Sequence, residues 1–132
     1  MSKLIKYLGL DYGAGKIGLA IADSEIKLAS PFKVLKNDQE FYDSFTRICK
    51  EEKIDKIIIG LPKGLKGTKS VQYKKVKKFI KDLQKKIKLP ILEQDEKYTT
   101  QYAQRLLKNS KKKNIDDDVA AMLILQSWLD KN

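Results

Sequence analysis

Histidine is absent from the 132-residue sequence, and cysteine occurs once, at Cys49. Without histidine, Ser-His-Asp triads, Cys-His pairs and imidazole general bases are excluded. A single cysteine excludes an internal disulfide and a zinc site built from several thiolates. Any chemistry of this chain therefore depends on carboxylates, lysines, hydroxyls and the backbone.

Long apolar runs are also missing. The longest one, residues 119–125, is much shorter than the roughly 18 residues that indicate a membrane helix. The N-terminal residues pass directly into a strand pattern, without the longer apolar stretch of a secretory signal. We therefore expect a cytoplasmic protein with no membrane partner, folded as one domain over residues 1–132.

Positive charge is in excess, because 28 lysines and arginines stand against 17 acidic residues and leave a net charge of +11. Such a charge favours polyanionic partners through attraction and counterion release. Only Arg47 and Arg105 are arginines, so a generally lysine-rich composition explains the excess as well. Charge alone leaves both explanations open.

The apolar periodicity predicts an α/β protein with the order β-β-β-α-β-α-β-α-α. Strand patterns at 4–11, 16–22 and 29–35 are joined by short turns, which indicates an antiparallel meander whose first strand is central. Strands that alternate with helices after such a meander predict a mixed five-stranded sheet with helices on both faces. The later elements are strands at 57–60 and 90–94, and helices beginning near Asn37, Ser70, Thr99 or Thr100, and Asp116.

Gly13, Gly15 and Gly18 match the G-x-G-x-x-G fingerprint of dinucleotide-binding proteins. That site requires a helix directly after the glycines, whose N-terminus receives the pyrophosphate. Residues 16–22 alternate as a strand instead and include β-branched residues. We therefore expect no dinucleotide ligand.

Acidic residues occur where three predicted elements begin or end. Asp11 ends the first strand, Asp95 and Glu96 close the fifth, and residues 116–118 open the last helix. Each has an ordinary structural explanation, as a turn aspartate, a solvated pair or a helix cap. Asp117 differs from its neighbours because it lies in line with the apolar face of its helix, whereas Asp116 is the expected cap.

Taken together, the three acidic sites indicate oxygen ligands of the kind that suit Mg²⁺ or Mn²⁺. One or two such ions support phosphodiester cleavage without histidine, because the metal itself lowers the pKa of water.

These residues lie in four blocks that resemble the YqgF/RuvX family, RNase H-like proteins described as Holliday junction resolvases or pre-16S rRNA nucleases. The blocks follow the family order: LDYGAGKIGLAIAD at 10–23 with ASP at 29–31, GLPKGLKGT at 60–68, DEKYTT at 95–100, and DDVAAMLILQSWL at 117–129. The resemblance implies an RNase H-like fold. It also carries the family's acidic residues over to Asp11, Glu96 and Asp117, with Asp95 as an auxiliary.

The function that the resemblance implies is a metal-dependent nuclease acting on structured RNA, in processing of the 5′ end of pre-16S rRNA. Asp11, Glu96 and Asp117 would hold Mg²⁺ or Mn²⁺, and a monomer is expected. The residues expected to contact nucleic acid are Lys16, Lys63, Lys66, Lys97 and Thr99.

Three departures from the family pattern affect substrate contacts rather than the carboxylates. The usual asparagine of the GLP loop is Gly64, and the Thr-Lys after the first glycine is Ala14-Gly15. The arginine of the family's DER block is Lys97, which keeps the charge but loses bidentate phosphate geometry.

Two other functions stay open from the sequence. A Holliday junction resolvase would use the same site on branched DNA and would act as a dimer. A non-catalytic RNA- or ribosome-binding protein would use the basic surface alone. An actin-like ATPase, which the DYG turn also resembles, needs two such domains and is disfavoured by the length.

Overall fold

The computed structural model describes residues 3–62, 71–95 and 116–132. The elements in chain order are β1 (Lys6–Tyr12), β2 (Lys16–Asp23), β3 (Ser30–Lys36), α1 (Phe41–Glu51), β4 (Lys56–Leu61), α2 (Val71–Lys86), β5 (Ile91–Asp95) and α3 (Asp117–Lys131). These elements follow the predicted order. The further helix predicted from Thr99 or Thr100 lies outside the described residues.

The five strands form one mixed sheet in the order β3-β2-β1-β4-β5. β1, β2 and β3 pair as an antiparallel meander, while β4 is parallel to β1 and β5 is parallel to β4. The mixed sheet and the central position of β1 are both as predicted. β1, β4 and β5 end at one edge of the sheet, where β2 begins, and we call it the carboxyl edge.

Helices cover both faces of the sheet. α1 and α2 pack on one face, where Leu10, Ile17 and Ile59 form a core with Phe45 and Leu83. We call this the α1–α2 face. Because successive strand residues point to opposite faces, the alternate positions form a second core against α3.

The second core, on the α3 face, is built from smaller side chains. Ala20 and Ala22 contribute from β2 and Ala121 from α3. A Cβ atom on Gly9 of β1 would stand 2.8 Å from the Cβ of Leu125. Small residues on both sides thus allow α3 to approach the sheet closely.

Helix α1 begins at Phe41, which corrects the predicted start near Asn37. Glu40 occupies the N-cap position without a side-chain cap hydrogen bond. The Asn37 side chain instead donates to the Gly13 carbonyl at 2.9 Å, and Oδ1 of Asp38 accepts from the Glu40 amide at 3.0 Å. Both polar side chains therefore stabilise turns before the helix.

No helix in the described ranges is long and apolar enough to cross a membrane.

Candidate metal centre

Asp11 is the penultimate residue of β1 and lies half-buried at the carboxyl edge. Its partner across the antiparallel pair is Gly18 of β2. Directly opposed residues point to the same face of a sheet, with Cβ atoms about 4.5–5.5 Å apart. The position of Gly18 therefore shows which face the Asp11 side chain takes.

Gly18 lies directly beneath the start of α3. A Cβ atom built on Gly18 would stand 1.9 Å from the carbonyl oxygen of Asp117 and 2.9 Å from the amide nitrogen of Asp118. Only a residue without a side chain leaves room for this first turn. Asp11 therefore faces the N-terminus of α3, with its Cβ within about 7 Å of the Asp117 carbonyl oxygen.

The N-terminus of α3 presents three consecutive aspartates. Asp116 is the N-cap, as predicted, with an extended backbone and no side-chain cap hydrogen bond. Asp117 and Asp118 are both half-buried, so exposure does not separate them. The backbone of both residues lies against Gly18, and the choice of Asp117 as the ligand stays a prediction.

Asp95 ends β5 at the same edge but on the other face. Its register partner is Leu61, which belongs to the core against α1 and α2. Register partners share a face, so Asp95 lies on the α1–α2 face and Asp11 on the α3 face. Gln94, one residue before Asp95, points to the α3 face instead and is only 4% exposed. Following the register across β4, Gln94 stands at the same height in the sheet as Asp11.

Five of the predicted site residues lie outside the described residues. Lys16 is described: it begins β2 at the carboxyl edge and is exposed. In the described ranges, no group of three or more carboxylate, cysteine or histidine side chains is placed to hold a metal. The predicted site residues outside the described ranges are Lys63, Lys66, Glu96, Lys97 and Thr99.

Two carboxylates on one face fit a hard divalent cation. Mg²⁺ is commonly bound through one or two carboxylates together with substrate phosphates, and it keeps several waters. Asp11 and Asp117 are the predicted carboxylates of that type among the described residues, and the positive end of the α3 dipole favours an anionic substrate nearby. The chemistry of the donors is therefore suited to Mg²⁺ or Mn²⁺.

Sequence reasoning missed the role of Gly18, which it treated only as part of a glycine fingerprint. A glycine in the interior of a strand often marks a close backbone approach. The sequence therefore indicated that some segment packs closely at position 18. It did not indicate that this segment is the start of α3, 99 residues further along the chain.

The comparison with known families is consistent with this geometry. A model of the RuvX family, described as "Holliday junction resolvase", matches residues 5–131. The chain belongs to the RuvX family. This membership confirms the resemblance that the four sequence blocks indicate.

Relatives in the RuvX family match over nearly the full chain. A protein of Sulfurihydrogenibium sp. is 36% identical over 131 residues, covering 96% of this chain and 90% of its own length. A protein of Thermoanaerobacter pseudethanolicus is 35% identical, covering 96% of both chains. Each carries the name "Putative pre-16S rRNA nuclease".

Solved structures share the RuvX fold described here. RuvC of T. thermophilus in complex with a Holliday junction aligns with a TM-score of 0.54 at 11% identity, covering 95% of this chain and 93% of RuvC. The fowlpox virus resolvase, also bound to a Holliday junction, aligns with a TM-score of 0.54 at 15% identity, covering 96% and 98%. At such low identity the likeness concerns the fold, which is RNase H-like as predicted.

Proposed function

We propose that this protein is a metal-dependent nuclease that processes the 5′ end of pre-16S rRNA. The observation that supports the proposal is that the backbone at Asp117 packs against Gly18, the register partner of Asp11, at the carboxyl edge of the sheet. The names of the RuvX relatives and the net charge of +11 support a nucleic acid substrate.

Asp11, Asp117 and Glu96 are the proposed metal ligands. Glu96 enters through the family resemblance alone. Asp95 is left out of the ligand set, because its register assigns it to the opposite face from Asp11. Together these residues would hold a divalent ion, which would supply charge neutralisation of the phosphate and a lowered pKa of water.

The protein's own residues orient the substrate in this proposal. The backbone of Asp11 is held by the central strand through its pairing with β2. Lys16 is exposed at the same edge and attracts a phosphate. The remaining proposed phosphate contacts are Lys63, Lys66, Lys97 and Thr99.

The test is cleavage of a precursor RNA that carries the 5′ extension of the small-subunit rRNA. With Mg²⁺ or Mn²⁺ we expect cutting in the extension, and with EDTA we expect none. Asp11→Asn keeps the shape but removes the anionic ligand, and should lower the rate by on the order of 100-fold or more.

The matched control is Asp43→Asn, an identical change at an exposed residue of α1. It should cleave at the wild-type rate. Undiminished cleavage by Asp11→Asn, or cleavage that continues in EDTA, would overturn the proposal.

Holliday junction resolution is the second candidate, favoured by the description of the RuvX family model. It requires two coordinated cuts and therefore a symmetric dimer. Symmetric cutting of a four-way DNA junction, with a dimer in light scattering, would support it over RNA processing. RNA binding that is indifferent to both metal and Asp11→Asn would instead indicate a non-catalytic RNA-binding protein.

A further inference from the structure

A cleft of about 370 Å³ opens on the opposite face of the sheet from Asp11. It lies between the β1–β2 turn, the start of α1 and the outer side of α2, and its volume is near the lower end for small-ligand sites, about 300–1,000 Å³. The lining residues are Tyr12, Ala14, Asn37, Tyr42, Lys75, Lys78, Phe79 and Asp82. Neither the family resemblance nor the proposed metal centre accounts for this cleft.

We propose that this cleft binds one unpaired nucleotide of the nucleic acid substrate, with the base against the aromatic wall and the phosphate at Lys75 and Lys78. The inference rests on the proposed function, which brings a nucleic acid strand to the carboxyl edge. It adds to that function a second contact point on the protein, away from the metal.

The aromatic wall consists of three neighbouring rings. The rings of Tyr12 and Phe79 have centroids 4.7 Å apart, and those of Tyr42 and Phe79 are 6.4 Å apart and nearly parallel. Both tyrosines are only half-buried. Exposed aromatic rings provide stacking surfaces for nucleobases of any identity.

The cationic side of the cleft comes from α2, which has seven lysines and one acidic residue in 16 positions. Lys75 and Lys78 line the cleft and are exposed. The ammonium of Lys86 lies 3.8 Å from the centre of the Tyr42 ring. Lys86 is not a lining residue and covers one face of the Tyr42 ring, so the base is proposed to stack on the other exposed ring surface. The two lining lysines beside the aromatic wall match the charge and the ring of a nucleotide.

Asp82 makes the two ends of the cleft chemically different, so that one end suits a base and the other a phosphate. Its carboxylate repels a phosphate but accepts hydrogen bonds from the exocyclic amines that adenine and cytosine carry. Burial, and next the charge of Asp82, raise the pKa of Tyr42, so its hydroxyl stays protonated as a hydrogen-bond donor. The base is therefore expected at Asp82 and Tyr42, and the phosphate at the lysines.

The cleft is held in shape by the β1–β2 turn. The Asn37 side chain donates to the Gly13 carbonyl at 2.9 Å, and the Asn37 amide donates to the Gly15 carbonyl at 3.0 Å. Tyr12 also directly follows Asp11 in β1. A nucleic acid strand that crosses the carboxyl edge could therefore reach both the proposed metal centre and the cleft within a few nucleotides.

The test measures binding in the Asp11→Asn protein, so that cleavage does not interfere. The probe is a fluorescein-labelled single-stranded oligoadenylate, with a DNA version and a blunt RNA duplex of equal length for comparison. Replacing Lys75 and Lys78 together by alanine should weaken oligoadenylate binding several-fold more than replacing Lys74 and Lys81, which are exposed on α2 and are not lining residues of the described cleft. Equal effects of the two pairs would overturn the proposal.

The aromatic contact is tested with Tyr42→Leu. It should weaken oligoadenylate binding by roughly 5- to 100-fold and leave binding of inorganic polyphosphate unchanged. Tyr42→Phe, which keeps the ring and loses only the hydroxyl donor, should weaken binding less than Tyr42→Leu. An equal loss for polyphosphate would show that no base is recognised. The DNA oligomer shows whether the sugar matters.

Crosslinking provides a readout that does not depend on the folding of a variant. A 5-bromouridine oligonucleotide irradiated with the Asp11→Asn protein should attach to Tyr12 or Tyr42, and crosslinks only at other residues would contradict the proposal. Failure of RNA cleavage by the wild type with these contacts intact would overturn the proposed function alone.

Discussion

At position 18 the space for a side chain is taken by the backbone of α3. The neighbouring hairpin glycines differ from one another in this respect. A Cβ on Gly13 would stand 2.5 Å from the Lys16 carbonyl oxygen, whereas a Cβ on Gly15 would meet nothing within 4 Å. The requirement for glycine therefore varies along one short segment, according to what packs against each residue.

Gly18→Ala should damage both stability and activity. The added methyl must displace the first turn of α3, and overpacking of this kind costs about 1–3 kcal/mol. The same displacement moves Asp117 relative to Asp11, so precursor cleavage should fall as well. Urea unfolding and the cleavage assay measure the two effects.

Gly15→Ala is the matched control, because its methyl has open space. It should unfold within about 0.5 kcal/mol of the wild type. Equal stability of the two alanine variants would contradict the packing of α3 on Gly18.

Asp55 provides a pH-dependent contribution to stability. The hydrogen bond from the Lys6 amide to Asp55, 3.0 Å long, holds the pKa of Asp55 below its usual value, against a smaller opposing effect of burial, with further help from Lys3. A depressed pKa in the folded state stabilises the protein above the pKa of the unfolded state, near 3.9. That contribution is lost as the pH falls through the folded pKa.

Asp55→Asn should therefore be less stable than the wild type at pH 7, by at most about 1 kcal/mol, and equally stable at low pH. Urea unfolding at several pH values between 2 and 7 measures the difference. High salt screens the Lys3 pair but leaves the amide hydrogen bond, so most of the difference should persist in salt. A difference independent of pH would contradict the assignment.

At the scale of elements, α3 has two roles. Its N-terminus packs against Gly18 at the proposed metal centre, and its middle and C-terminal half form the core against the sheet through Ala121, Leu125 and Leu129. Gln126 adds hydrogen bonds to the β2–β3 loop, accepting from the Ala29 amide at 2.8 Å. The position of the site therefore depends on packing along the whole helix.

Leu125→Ala tests this dependence. Leu125 is fully buried against Gly9, so the truncation should cost about 2–5 kcal/mol of unfolding free energy. Thermal or urea unfolding measures it. Ile26→Ala, at a side chain that is 71% exposed, should change stability by no more than about 0.5 kcal/mol, and a comparable loss in both would contradict the assignment of α3 to the core.

At the scale of the whole molecule, the excess of positive charge among the described residues lies mainly on helix α2, which packs on the α1–α2 face. Helix α2 has a net charge of +6 from its side chains, which are seven lysines and one aspartate among the charged positions. Polyanion binding should therefore involve this helix, on the opposite face from the proposed metal ligands.

Affinity for RNA should fall with salt in a linear relation between log K and log salt concentration. Removing Lys75 and Lys78 together should lower the magnitude of the slope by about 1–2, one for each lost phosphate contact. Fluorescence anisotropy from 50 to 300 mM KCl measures both slopes. An unchanged slope would show that these lysines do not contact phosphates.

Local patterns were sufficient for much of the fold. The meander, the central first strand and the amphipathic α2 were predicted because strand and helix periodicities are properties of neighbouring residues. The start of α1 was mispredicted, because Asn37 and Asp38 hydrogen-bond to turns rather than to the helix, and Gly13, the partner of Asn37, lies in another element.

The sequence by itself determined which chemistry is possible and which family the chain belongs to: it contains no histidine and one cysteine, and the four blocks stand in family order. Only the tertiary structure decided that Asp117 lies over Gly18 beside Asp11, that Asp95 takes the other face, and that a cleft with aromatic and lysine walls lies behind the site. These facts depend on strand register and on packing between segments far apart in the chain, which no local pattern specifies.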